Sequence, residues 1–160
     1  MQFVPITLKA LKRKETDFEP RTLGEHVRKR RLILGITQKE AARLIGVNQF
    51  TIMTWEKDRT EPPVRAMPGL IRYLGYDPFP PAETIPERLR AKRRQNGWSR
   101  NMAAAKLGID ESTLRDWEAG EMILYRSHRA LISQWLGLPV MEIDHEMATR
   151  WGRLHQVVEA

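Results

Sequence analysis

His26, His128, His145 and His155 are the side chains of this sequence best able to carry a proton or hold a metal, and their spacing suits neither task. Metal-binding pairs on a helix recur at three- or four-residue steps, so that they face one point. Asp144-His145-Glu146 gathers three ligand types, but consecutive residues on a helix point in different directions. No cysteine is present, which removes a thiol nucleophile, a disulfide framework and any Cys-ligated zinc or iron–sulfur site. Neither a phosphate-cradling glycine loop nor a nucleophile–base arrangement is found. No enzyme activity, metal or cofactor is therefore expected. What the sequence does offer is cations: 27 Lys+Arg against 20 Asp+Glu, a net +7, suited to an anionic partner.

That charge is uneven. Residues 21–60 hold nine bases and four acids, a net +5, whereas residues 121–160 hold four and five, a net −1. At 160 residues, 41% hydrophobic and 29% charged, the chain is one domain's worth or two very small ones. No run approaches the ~18 apolar residues of a membrane span. Residues 1–10 lack the charged start and apolar middle of a secretory signal. A soluble cytoplasmic protein associated with the nucleoid is the expectation.

The elements that position the charges come from a repeat. Sliding the sequence by 62 residues without a gap pairs Thr22–Asp77 with Thr84–Pro139, and 13 of the 56 pairs are identical. Arg31/Arg93, Trp55/Trp117, Glu56/Glu118 and the glycine pairs Gly35/Gly97, Gly46/Gly108 and Gly75/Gly137 are among them. Each repeat reads as helices, since alternation at period two is nowhere sustained. Thr22-x-x-Glu25, Thr37-x-x-Glu40 and Thr84-x-x-Glu87 are capping boxes, in which hydroxyl and carboxylate satisfy free N–H groups reciprocally. Asn48, Ser99 and Asp110 are further N-caps. First helices should run to Gly35 and Gly97, and second helices should end before Gly46 and Gly108. Third helices should end near Lys57 and at Gly120, and fourth helices should cover about Met67–Leu74 and Ser127–Leu136.

Only about three residues, with a central glycine, join the second and third helices of each repeat. That is helix-turn-helix spacing, which lets the second helix of the pair enter a DNA major groove. Ala41-Ala42 and Ala103-Ala104 let the two helices approach, while Val47, Ile52, Ile109 and Leu114 seal the angle. The stretch Gly35-Ile-Thr-Gln-Lys-Glu-Ala-Ala-Arg-Leu-Ile-Gly-Val-Asn-Gln-Phe-Thr-Ile-Met-Thr-Trp-Glu56 resembles the Cro and lambda-repressor-like (Xre-type) DNA-binding domains, and so does Gly97–Glu118. The resemblance implies an all-α fold of two tandem bundles with four to five helices each. It also implies sequence-specific binding of double-stranded DNA by a transcriptional regulator, most often a repressor.

Carried onto this sequence, the resemblance pairs Arg31 with Glu56 and Arg93 with Glu118 as structural ion pairs. It turns Asn48, Gln49, Phe50 and Thr54 toward base edges. Gln49 has the geometry to pair bidentately with adenine, and Phe50 either lies on a thymine methyl or packs within the protein. Thr37 and Gln38, at the start of the second helix, and Lys57 and Arg59, after the third, match phosphate-contacting positions. Ser99, Arg100, Ser112 and Arg115 are the corresponding candidates in the second repeat. Its third helix reads Asp110-Glu-Ser-Thr-Leu-Arg-Asp-Trp-Glu118, four acids against one base, which a phosphate-lined groove repels. The first repeat is thus expected to lead, with the second a weaker reader, a phosphate clamp or a structural partner.

The domain organisation expected is an arm over 1–21, helix-turn-helix domains over 22–77 and 84–139, a Pro-rich linker over 78–83 and a C-terminal helix over 140–160. Lys9, Lys12, Arg13 and Lys14 leave the arm open as a minor-groove contact or a solvated tail. Ile143, Met147, Trp151, Leu154 and Val158 form an apolar stripe that either packs on the second repeat or joins two copies into a homodimer. A protein-interaction module, such as an antitoxin or adaptor, and a recombination or architectural accessory protein are the competing functions.

Overall fold

Side-chain caps start the first three helices. Thr22 Oγ1 accepts the Glu25 N–H at 3.1 Å while the Glu25 carboxylate accepts the Thr22 N–H, opening α1 (Leu23–Leu34). The same reciprocal box between Thr37 and Glu40 opens α2 (Gln38–Ile45). Asn48 Oδ1 accepts the Thr51 N–H at 2.7 Å and opens α3 (Gln49–Trp55). Between α2 and α3, Gly46 adopts φ +90°, a left-handed turn that a side chain would strain. A 3-10 turn at Val64–Ala66 leads into α4 (Met67–Leu74).

The second set is α5 (Ile85–Gln95), α6 (Arg100–Leu107), α7 (Glu111–Ala119) and α8 (Arg126–Leu136), followed by a helical stretch over 140–146. This computed structural model describes residues 16–121, 125–146 and 148, and every regular element among them is helical. The fold class is all-α, in two tandem helical bundles. Two compact units divide the chain, Met1–Pro78 and Phe79–Ala160.

α5 closes as expected on Gly97, which takes the left-handed φ +69° while the Trp98 N–H returns to the Arg93 carbonyl at 3.1 Å. Two other local expectations are corrected. Asp110 has the extended backbone of an N-cap, yet its carboxylate takes no N–H. α8 begins at Arg126, one residue before the expected start.

Unit 1 buries Val27, Ile52, Trp55, Leu70 and Leu74 around Ala41 and Ala42. Each large side chain contributes ~1.5–3 kcal/mol by leaving water. Two glycines set how closely its helices cross. A Cβ on Gly24 would lie 1.8 Å from the Trp55 carbonyl oxygen, and one on Gly69 would lie 2.2 Å from that of Ile45. The aligned residues in unit 2 are Pro86 and Leu131, and that unit is closed differently. Ile143 joins Leu89, Leu114, Trp117 and Ile132 in its core. Glu142 pairs with Arg88 at 2.6 Å, and the Glu146 carboxylate accepts the Ile85 N–H at the start of α5.

Ile143 thus packs back on the second repeat. Lys9, Lys12, Arg13 and Lys14, with Met147, Trp151, Leu154 and Val158, lie outside the described residues. Among the described residues no helix is long and apolar enough to cross a membrane.

Candidate nucleic-acid interface

Behind the angle of α2 and α3 lies a buried carboxylate. Glu56 follows α3 directly, with only 4% of its side chain exposed, and accepts Arg31 Nε at 2.6 Å and Nη2 at 2.9 Å in a two-pronged pair. The hydrogen bond to Glu56 raises the Arg31 pKa still further above its ordinary value. Tyr73 closes the other side of this region, where burial pushes its phenol up to about 12. Unit 2 repeats the pair: Glu118, with 2% of its side chain exposed, accepts Arg93 Nε at 2.5 Å and Nη2 at 3.1 Å. A carboxylate buried this deeply is tolerable only because its lone pairs are filled. The pair ties α1 to the residue after α3, and so fixes the angle at which α3 leaves the bundle.

Gln38 and Arg100 join the same two carboxylates. Gln38 Nε2 donates to Glu56 Oε2 at 2.9 Å, and Arg100 Nε donates to Glu118 Oε2 at 2.9 Å. Both were expected to face outward toward phosphates; both side chains are instead turned back onto the protein. The reason is the carboxylate, which has lone pairs left after one guanidinium is bound.

α3 of unit 1 carries Gln49 and Phe50 outward, while Ile52, Thr54 and Trp55 face the core. Gln49 is exposed and Phe50 is 68% exposed, so the packing alternative for Phe50 is not adopted. Asn48 is exposed, but its Oδ1 is committed to Thr51, accepting both N–H and hydroxyl. Thr54, expected at base edges, is buried. Its hydroxyl donates to the Thr51 carbonyl at 2.9 Å and accepts from Thr60 Oγ1 at 2.9 Å, which leaves no group facing out. At the start of α2, Thr37 donates both N–H and hydroxyl to Glu40, at 2.7 and 2.8 Å, and these bonds hold the Glu40 carboxyl below its ordinary pKa. The N–H groups of Gln38 and Lys39, first in the helix, have no acceptor within it. Lys57 and Arg59 are exposed just beyond α3.

A helix-turn-helix family model matches residues 27–79 and 89–124, more than half of the chain. The chain belongs to the helix-turn-helix family. No curated protein and no solved structure matches it. As a tandem member of that family it is a DNA-binding regulator.

The two helix-turn-helix units use their cations differently. In unit 2, Arg88 pairs with Glu142, Arg93 and Arg100 with Glu118, Arg115 with Asp116 and Arg129 with Asp144. Lys92 donates to the Trp135 carbonyl, and the Arg94 guanidinium stacks 3.8 Å from the Phe79 ring centroid. Ser99 is spent as the α6 cap, accepting the Met102 N–H at 3.2 Å, while Ser112 is exposed. In unit 1, Lys39, Arg43, Lys57 and Arg59 are exposed and make no ion pair among the described residues.

Sequence reasoning passed over Met53 and Thr60. Met53 is half-buried and shares one face of α3 with Gln49, four residues before it. That i, i+4 spacing was the available signal. Thr60 carried no signal, since its role depends on where the chain returns after α3.

Proposed function

We propose that the protein binds double-stranded DNA sequence-specifically by laying α3 of unit 1 in the major groove, and represses by occupying an operator. One observation carries this reading: Gln49 and Phe50 stand outward on a helix whose base is locked by the buried Arg31–Glu56 pair, with Lys39, Arg43, Lys57 and Arg59 exposed around it. Gln49 pairs with an adenine edge and Phe50, with Met53 behind it, contacts thymine methyl groups. Lys57, Arg59 and the N–H groups at the start of α2 hold phosphates and set the register. The amide of Gln49 and the ring of Phe50 read sequence; the cations around them supply affinity.

Unit 2 serves chiefly as a structural partner. Arg88, Arg93, Arg100, Arg115 and Arg129 are engaged by its own carboxylates, Arg90 and Arg126 are exposed, and α7 presents Glu111 beside Ser112 and Arg115. Each cation held this way has less to offer a phosphate, and each acid on the groove side repels one.

Selection of binding sites from random duplex DNA tests the reading. A recurrent sequence motif is expected, bound with an affinity that falls steeply with salt. A protein that enriches no motif, or binds with no salt dependence, contradicts it. Transcription through a promoter overlapping the selected site should fall on adding the protein, and a rise would overturn repression.

A further inference from the structure

We propose that Thr60 is a positioning residue for DNA binding: it fastens the turn that carries Lys57 and Arg59 to the recognition helix, so that base-facing and phosphate-facing groups move as one piece. The inference rests on the DNA-binding reading of unit 1.

Four polar residues run the length of α3 as a continuous chain. Thr51 Oγ1 donates to Asn48 Oδ1 at 2.8 Å at the start of the helix, and the Thr51 carbonyl accepts the Thr54 hydroxyl at 2.9 Å. Thr60 Oγ1 then donates to Thr54 Oγ1 at 2.9 Å from beyond the end of the helix. The backbone in between is tightly wound. Asp58 adopts φ +52°, its N–H donates to the Trp55 carbonyl, and the Arg59 N–H donates to the Thr54 carbonyl, both at 2.9 Å. A left-handed non-glycine residue is held only where surrounding bonds over-determine it. Among the described residues, the Thr60–Thr54 bond is the side-chain bond that closes the turn over Asp58 back onto the helix.

Buried Thr54 thereby gains a purpose that a base-facing role denied it: it is the acceptor that anchors the turn. Unit 2 winds the same backbone turn, the Gly120 N–H donating to the Trp117 carbonyl at 3.1 Å and the Glu121 N–H to the Asp116 carbonyl at 2.9 Å, but its sequence has methionine at 122 in the place of Thr60 and so no hydroxyl pair. Asp116 stands in the place of Thr54 and its carboxylate accepts from Arg115, while Glu121 replaces Arg59 in the aligned turn. The device is found in the unit whose turn carries cations.

The test compares full-length protein and its Thr60→Val, Thr60→Ser and Lys57→Ala/Arg59→Ala variants on one selected duplex across a salt series, with thermal midpoints measured alongside. Valine keeps the shape and removes the donor; serine restores the donor. Thr60→Val is expected to bind about two- to tenfold more weakly, the equivalent of one hydrogen bond. Its salt dependence should be shallower and its thermal midpoint near that of the parent, and Thr60→Ser should recover both affinity and slope. If Thr60→Val keeps parental affinity and slope while the double alanine variant loses both, the positioning role is wrong and the DNA reading of the turn stands. If the double variant also binds as the parent does, the turn does not contact DNA and both fail. A Thr60→Val protein that loses affinity and thermal midpoint together, with no recovery by serine, overturns the proposal in favour of a merely structural bond.

Discussion

Gln38 and Arg100 occupy the same position in the two units, and each reaches 2.9 Å to the buried carboxylate of its own unit, Glu56 or Glu118. The chemistry at the two sites differs in charge. Glu56 is held by one guanidinium and one neutral amide; Glu118 is held by two guanidinium groups. The same scaffold position therefore adds a cation in unit 2, where it is absorbed internally.

This difference has a consequence for stability. Arg31→Ala removes the only cation from Glu56 and should cost unit 1 ~3–5 kcal/mol, the penalty for stranding a buried charge. Arg93→Ala should cost unit 2 less, since Arg100 still neutralises Glu118. Native-state amide exchange, read separately for α1–α3 and α5–α7, measures both. Equal losses in the two units would show that Arg100 does not share the carboxylate's charge.

Acid should weaken the helix starts. The carboxyls of Glu25, Glu40 and Glu87 are all held below their ordinary value by backbone N–H groups, chiefly that of Arg21 for Glu25 and those of the N-caps Thr37 and Thr84 for Glu40 and Glu87. A carboxylate with a depressed folded pKa stabilises fully above its unfolded pKa, ~4.3, and loses that contribution as pH falls through the folded value. The thermal midpoint should thus decline from about pH 5 downward. Glu40→Gln keeps an oxygen acceptor without titrating, so its midpoint should decline less. A variant with the same acid profile as the parent would remove Glu40 from the account.

Gly24→Ala should be destabilising despite adding one methyl to a helix. Its Cβ would meet the Trp55 carbonyl oxygen at 1.8 Å, so α1 and α3 must move apart. Overpacking of this kind costs ~1–3 kcal/mol, against the ~1 kcal/mol that alanine normally gains over glycine in a helix. Denaturant titration reads the sum, and an unchanged or raised midpoint would mean the helices can separate without loss.

Gln49→Ala should cost ~1–3 kcal/mol of discrimination at one base pair while leaving the rest of the motif intact. Lys57→Ala and Arg59→Ala should instead weaken binding to all sequences alike, each reducing the salt slope by about 1. Repeating the site selection with each variant separates the two patterns. A Gln49→Ala protein with the parental base preference would withdraw that residue from sequence reading.

Most of the helical architecture was legible because its signals are local. Thr22 with Glu25, Thr37 with Glu40 and Asn48 mark starts within three or four residues, and Gly35 and Gly46 mark ends. Gly97 likewise marks the end of α5, in the left-handed conformation at φ +69°. The candidate interface was less legible where tertiary partners decide. Thr54 lies four residues from Phe50, and spacing alone puts them on one face. Thr60, returning from beyond the helix, gives the Thr54 hydroxyl an inward partner instead. Likewise, the position of Gln38 at a helix start says nothing of a carboxylate 18 residues later that takes its amide. The basic character of α5 was visible in sequence, but the pairing of Arg93 with Glu118 and of Arg88 with Glu142 is a property of the folded unit.

Base-substitution interference on a selected duplex, with 7-deazaadenine for adenine and uracil for thymine, tests the central claim most directly, using the parent, a Gln49→Ala/Phe50→Ala variant and a Ser112→Ala/Arg115→Ala variant. The expected result is interference at major-groove adenine N7 and thymine methyl positions that disappears with the first variant and persists with the second. Contacts that survive loss of Gln49 and Phe50 but vanish with Ser112 and Arg115 would contradict the assignment of the recognition helix to unit 1.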